Sequence, residues 1–185
     1  MASIFGHALA AASMGSLNPP KEQRLKFYLL GMFCAIFPDA DVIAFSFGIP
    51  YESLWGHRGI SHSIFFSMIF GVLISWIFYP KEAILSKKGL LLSLYFALCS
   101  LSHAVLDAMT TGGLGVAFFA PFENSRYFLP WREIQVSPIG ASRFFSEWGL
   151  RVIKSELLWI GIPSLSIILL GVIRRKVQGK PASIE

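Results

Sequence analysis

The stretch ISHSIFFSMIFGVLISWIFY, residues 60–79, contains no Asp, Glu, Lys or Arg. A helix rises about 1.5 Å per residue, so a segment of this length crosses a hydrocarbon core of ~30 Å. It reads as a membrane span, and the rest of the chain is organised around it. Downstream, residues 89–111 are apolar except for His103, Asp107 and scattered hydroxyls, and read as a second span. A third, Leu157 to Ile173, carries Pro163 as a tolerated kink and stops at Arg174-Arg175-Lys176. Upstream, Ile4 to Leu17 and Phe27 to Phe37 are each too short to cross comfortably, and Asn18-Pro19-Pro20 with the charged run to Lys26 divides them. They are expected to form a helical hairpin reaching partway into the bilayer, with His7 level with Asp39.

Composition agrees. The chain is 54% hydrophobic and 15% charged, with a mean hydropathy of +0.59; soluble domains carry about 25% charged residues. The expected fold class is an all-α integral membrane bundle of about four to five helices, a single domain over residues 1–185. Residues 112–149, rich in Phe, Trp, Pro and Arg without spanning periodicity, read as an interfacial cap over the bundle or as an ordinary interfacial loop. Residues 174–185 read as a basic tail. The first lysine is Lys21, so the N-terminus lacks the basic region of a cleaved signal. Cys34 and Cys99 lie in apolar stretches, as buried free thiols do.

The net charge of +5 does not signal a nucleic-acid partner, because the basic residues cluster beside apolar segments. Lys21, Arg24, Lys26, Lys81, Lys87, Lys88, Arg174, Arg175, Lys176 and Lys180 would share one membrane face. Arg58, Arg126, Arg132, Arg143, Arg151 and Lys154 would share the other. The positive-inside rule places the first set, with the C-terminus, in the cytoplasm.

On that topology the ionisable clusters meet at the outward end. His7, Asp39, Asp41, His57, His62, His103 and Asp107 are all the histidines and aspartates of the chain. Ionisable groups at membrane depth are expensive unless they pair, line a wet cavity or bind an ion. His103 and Asp107, at i and i+4, share a helix face about 6 Å apart; a plain hydrogen-bonded pair would have the same spacing. Pro38 should stop the preceding helix, leaving Asp39 and Asp41 on one side of an extended turn or as caps in a wet loop. His57 and His62 cannot share a helical face, so a turn at Gly59 is expected, with Ser61 as N-cap of the span. Arg58 offers a planar fork to an anion, or snorkels to lipid phosphate.

All seven side chains are candidate metal ligands, enough for two or more divalent ions, with zinc first and manganese or iron as alternatives. Paired metals activate water for in-line displacement at phosphorus. The expected chemistry is hydrolysis of a phosphoester, with Arg58 and Asp41 as candidate catalytic residues, Arg58 steadying the phosphoryl oxygens. Two other functions would use the same residue types: a small transporter or ion pathway, and a non-catalytic protein whose metal staples the helices.

These residues resemble the YdjM family, inner-membrane-associated proteins described as LexA-binding and assigned a metal-dependent hydrolase activity. The likeness is carried by His7, Pro38-Asp39-Ala40-Asp41, His57-Arg58-Gly59-Ile60-Ser61-His62-Ser63 and Ser102-His103-Ala104-Val105-Leu106-Asp107. It continues in Pro121-Phe122 through Pro130-Trp131 and in Ser137-Pro138. The resemblance implies a bacterial inner-membrane protein; nothing on these residues answers to the LexA part of the description. The order His, Pro-Asp, His, His-x-x-x-Asp is also distantly similar to zinc-dependent phospholipase C, without that enzyme's complete ligand set. That likeness implies a phospholipid or other lipid-phosphate substrate, with membrane lipids as partners.

Overall fold

The computed structural model describes residues 1–178. It is a helical bundle in which three helices are long and apolar enough to cross a membrane. Helix α1 spans Ile4–Ser16 and α2 Arg24–Ile36, and α2 runs straight into a 3-10 segment, Phe37–Phe47. Helices α3 (Ile64–Phe78) and α4 (Lys87–Ala108) follow. After the cap come the short α5 (Ala141–Phe144), then α6 (Glu147–Glu156), a π turn Leu157–Gly161, and α7 (Ile162–Gln178). Among the described residues no strand forms; two isolated bridges, Thr110–Ile134 and Val116–Tyr127, tie the cap to itself and to the end of α4.

Helix α4 is the central pillar. Its buried face, Leu92, Phe96 and Cys99, packs with Phe27 and Cys34 of α2 and Phe70 and Ile74 of α3. Both cysteines are free and buried. Helices α3 and α4 approach closely because Gly71 has no side chain: a Cβ there would stand 2.4 Å from the Ala97 nitrogen and 2.5 Å from the Ser93 oxygen. Small residues at helix crossings are how membrane helices gain packing, since lipid is as apolar as leucine. The Ser67 hydroxyl donates to Ser100 Oγ at 3.2 Å across the same contact.

Four expectations change. Residues 24–47 are one continuous 24-residue helical stretch of mean hydropathy 1.6, long enough to cross, instead of half of a short hairpin. Pro38 does end the α-helical bonding, at Ile36, because its ring clashes with the carbonyl four residues back. The backbone answers by tightening into 3-10 bonding, not by extending, so Asp39 and Asp41 lie on a helical turn. The span expected over residues 60–79 is helical only from Ile64, because Ser63, not Ser61, is the N-cap: its Oγ accepts from Phe66 N at 3.0 Å. Its 15 residues cover about 22 Å, less than a hydrocarbon core. The last span is longer than residues 157–173: Glu147–Val177 is one helical run of 31 residues, so the cap ends before Glu147. Pro163 sits just beyond the π turn, in which the Ile162 amide donates to the Leu157 carbonyl five residues back. The basic tail continues α7 to Gln178; Lys180 and the remainder lie outside the described residues.

Candidate metal centre

Four elements deliver the charged side chains to one layer. Helix α4 contributes His103 and Asp107 from one face, as their spacing requires. The first turn of the 3-10 segment contributes Asp39, and the short turn Ile60–His62 contributes His62. Helix α1 contributes His7 from its buried face. His7, His62, His103 and Asp107 are fully buried.

At the centre, His62 Nε2 and His103 Nε2 are 2.9 Å apart. Asp39 Oδ1 lies 3.3 Å from the His103 nitrogen and 3.8 Å from the His62 nitrogen. Asp107 Oδ2 lies 3.9 and 3.7 Å from the same two atoms. Ligand atoms held ~2.0–2.2 Å from a tetrahedral ion stand about 3.3–3.5 Å from each other. These four donors scatter around that separation. Asp39 Oδ1 is buried without a hydrogen-bond partner, an arrangement that costs free energy unless a cation or water satisfies it. The four donors could therefore hold a metal ion.

The rings are oriented from behind. His103 Nδ1 donates to the Ala35 carbonyl at 2.7 Å, which fixes the tautomer and leaves the Nε2 lone pair facing the other three donors. His62 Nδ1 lies 3.1 Å from Asp41 Oδ2. Asp41 is saturated: it also takes His57 Nδ1 at 2.6 Å, the Arg58 amide at 3.0 Å and the Ser61 hydroxyl at 2.6 Å. Asp41, His57 and His62 are close enough to form a second cation group. The 2.6 Å between Asp41 and His57 is a hydrogen-bond length, and so is the 2.9 Å between the His62 and His103 nitrogens. The expectation of two or more ions thus meets two groups able to hold a cation, which share His62.

Burial disfavours the charged form of His62, but the carboxylates of Asp107 and Asp41 outweigh it and hold its pKa at about 9. Burial also lowers the pKa of His57, and there Asp41 does not compensate. The place that asks for positive charge is therefore beside His62. His7 lies outside that set of four: its Nε2 is 3.4 Å from Asp107 Oδ1, the oxygen that accepts from the Ala2 amide at 2.7 Å. Its ring stacks on His103 at 3.8 Å, and neither ring nitrogen has a hydrogen-bond partner.

Arg58 is neither free nor snorkelling. It is fully buried, its Nε donating to Asp107 Oδ2 at 2.9 Å, Nη1 to the Gly112 carbonyl at 3.0 Å and Nη2 to Thr110 Oγ1 at 3.1 Å. Three of its five N–H groups are thus engaged. The chain turns at Arg58 itself, with φ 63°, and not at Gly59. Gly59 serves instead for close approach: a Cβ there would meet the Leu54 carbonyl at 2.2 Å. Ser61 spends its hydroxyl on Asp41, not on a helix cap.

Sequence reasoning missed Arg126. Its guanidinium donates to the carbonyls of His57 at 2.8 Å, Tyr51 at 2.8 Å and Ser53 at 3.1 Å, clamping the loop that carries His57 and Arg58. The cap donates once more through its backbone: the Ala117 amide donates to the Arg58 carbonyl at 3.0 Å. No local signal marks these partners; only the fold brings residue 126 to residue 57.

Residues 1–178 match the family described as YdjM inner membrane protein. Inner membrane protein YbcI of Escherichia coli (strain K12) is 34% identical over 169 residues, 91% of this chain and 95% of that protein. No solved structure matches the chain.

Proposed function

Because the chain belongs to the YdjM inner membrane protein family, we propose that it is a membrane-bound metal-dependent hydrolase acting on a phosphoester of a lipid or lipid-linked substrate. One observation carries the reading. Asp107 Oδ2 is shared between the four-donor pocket and Arg58, and Arg58 borders a cavity of about 280 Å3 beside the cap. The candidate ion site is thereby joined, through one carboxylate, to a place where substrate can sit.

Asp39, His62, His103 and Asp107 would hold the ion. A divalent ion there would supply a water of lowered pKa and a Lewis acid for a phosphoryl oxygen. Asp39 is the ligand nearest solvent, its side chain 13% exposed where the other three are fully buried, so it is the one able to yield a position. Asp41 orients His62 and His57 and is a positioning residue. Arg58 fixes Asp107 and keeps two N–H groups that make no bond within the protein. The distribution of Lys and Arg supports a reading in which this end of the bundle faces the periplasm and the basic end of α7 the cytoplasm.

A second reading, a metal that only staples the helices, is favoured by the burial of three of the four ligands, since structural zinc sites are closed. Metal analysis of the purified chain, with His62→Ala and Asp107→Ala, tests both. Bound metal lost in the two variants, together with metal-dependent release of phosphate or alcohol from phospholipid, isoprenoid-phosphate or nucleotide substrates, supports the hydrolase. Metal without turnover, and collapse of the fold on chelation, favours the staple. Absence of metal, or full occupancy in both variants, overturns both readings.

A further inference from the structure

The cavity beside Arg58 is built for more than access. Among the described residues it is lined by two arginines and a histidine and by no carboxylate side chain. Arg58, on its inner wall, keeps one N–H on each terminal nitrogen beyond its bonds to Gly112 and Thr110. Gly113 stands against that edge without a side chain. With φ +88° it lies where side chains are strained, and a Cβ there would stand 2.5 Å from Arg58 Nη1 and 3.0 Å from the Tyr51 hydroxyl. Arg143 lines the same cavity from α5, is exposed, and makes no ion pair among the described residues. The remaining wall is apolar. Pro138 and Ile139 lie beside the indole of Trp148, whose Nε1 is spent on the Val136 carbonyl at 2.9 Å. Ile139 and Trp148 are partly exposed, 44% and 37%, so this side of the cavity opens outward.

An electropositive floor facing an apolar, open wall fits an oxyanion carrying a hydrocarbon substituent. We infer that this cavity is the seat of an alkyl phosphate: Arg58 and Arg143 hold the phosphoryl oxygens, Tyr51 donates from the side, and the Ile139–Trp148 wall takes the first carbons of the chain. The inference rests on the hydrolase reading for its purpose but not for its test.

The test uses the full chain purified in detergent with its metal quantified, titrated separately with inorganic phosphate and with water-soluble n-butyl phosphate, followed by calorimetry or phosphorus NMR. Arg143→Ala should weaken both ligands by about tenfold with metal content unchanged, and Arg143→Lys should restore part of the loss. Butyl phosphate should bind several-fold tighter than phosphate, and Trp148→Ala should erase that difference alone. Equal binding of the two ligands, with Trp148→Ala inert, overturns the alkyl assignment and leaves a free-phosphate site. No binding by fully metallated wild-type chain overturns the seat while leaving the metal centre standing. Binding that survives Arg143→Ala unchanged also overturns it. A wild-type chain without metal instead sinks the hydrolase reading, and the Arg143→Ala comparison still decides the seat.

Discussion

Replacing Asp41 by Asn separates a carboxylate that supports the metal centre from one that belongs to it. The substitution keeps the shape and removes the charge. Three donors converge on Oδ2, from the Arg58 amide, Ser61 and His62, and one on Oδ1, from His57. The amide oxygen of Asn can replace Oδ2, and its NH2 then faces His57 Nδ1, which accepts after a change of tautomer. No bond is lost outright, but both imidazole contacts fall from charge-assisted to neutral. Bonds to a charged group contribute about 1.5–3 kcal/mol and neutral ones about 1, so the two contacts together lose ~2 kcal/mol, or about 30-fold in an equilibrium constant. Most of that should appear as metal affinity, because His62 loses the partner that orients it; loss of such supporting groups costs about 10–100-fold in other metal proteins. The assay is competition with a fluorescent chelator, alongside metal stoichiometry at saturation. Asp41→Asn should bind one ion per chain, about 30-fold more weakly than wild type. Loss of stoichiometry at saturating metal would mean that Asp41 is itself a ligand, and unchanged affinity would mean that His62 needs no support; either refutes the reasoning.

The remaining predictions concern protons and packing. In the metal-free chain His62 is protonated at neutral pH, since its pKa stands at about 9; an ion must displace that proton. Apparent metal affinity should therefore rise about tenfold per pH unit up to that pKa and level off above it, and a flat profile between pH 6 and 8 would count against the assigned ligand. Gly71→Ala should destabilise the bundle by about 1–3 kcal/mol, read from thermal melting in detergent, because the new Cβ meets the α4 backbone, which cannot move aside; a wild-type melting temperature would show the crossing to be looser than described. Ser63→Ala should cost about 1 kcal/mol by removing the α3 cap, whereas Ser61→Ala should leave α3 intact and lower metal affinity through Asp41. The reverse pattern would return the cap to Ser61.

Local signals made part of this structure legible in advance. The α4 span shows itself because residues 89–102 carry no charged side chain, and His103 with Asp107 shows itself because four residues are about one helical turn. The 3-10 continuation through Asp39 and Asp41 does not, because Pro38 announces only that α-bonding stops and not what replaces it. Ser61 and Ser63 are equally good caps by composition, and what decides between them is Asp41, twenty residues upstream, which claims the Ser61 hydroxyl. Arg58 resembles an exposed anion clamp for the same reason: its partners Asp107, Thr110 and Gly112 lie about fifty positions away. Glu156 gave no warning either. It is buried at the junction of α6 and the π turn, where both its oxygens serve Ser3.

That last contact governs the order in which the molecule can be put together. Ser3 caps α1, and α1 presents His7 to Asp107, yet the carboxylate that holds Ser3 lies 153 positions further on. Synthesis runs from the N-terminus, so the first turn of α1 waits for a partner made long after α2 and α4 are there to pack against it. A nascent chain halted before α6 would have His7, Asp39, His62, His103 and Asp107 already at hand, with Ser3 still lacking its carboxylate.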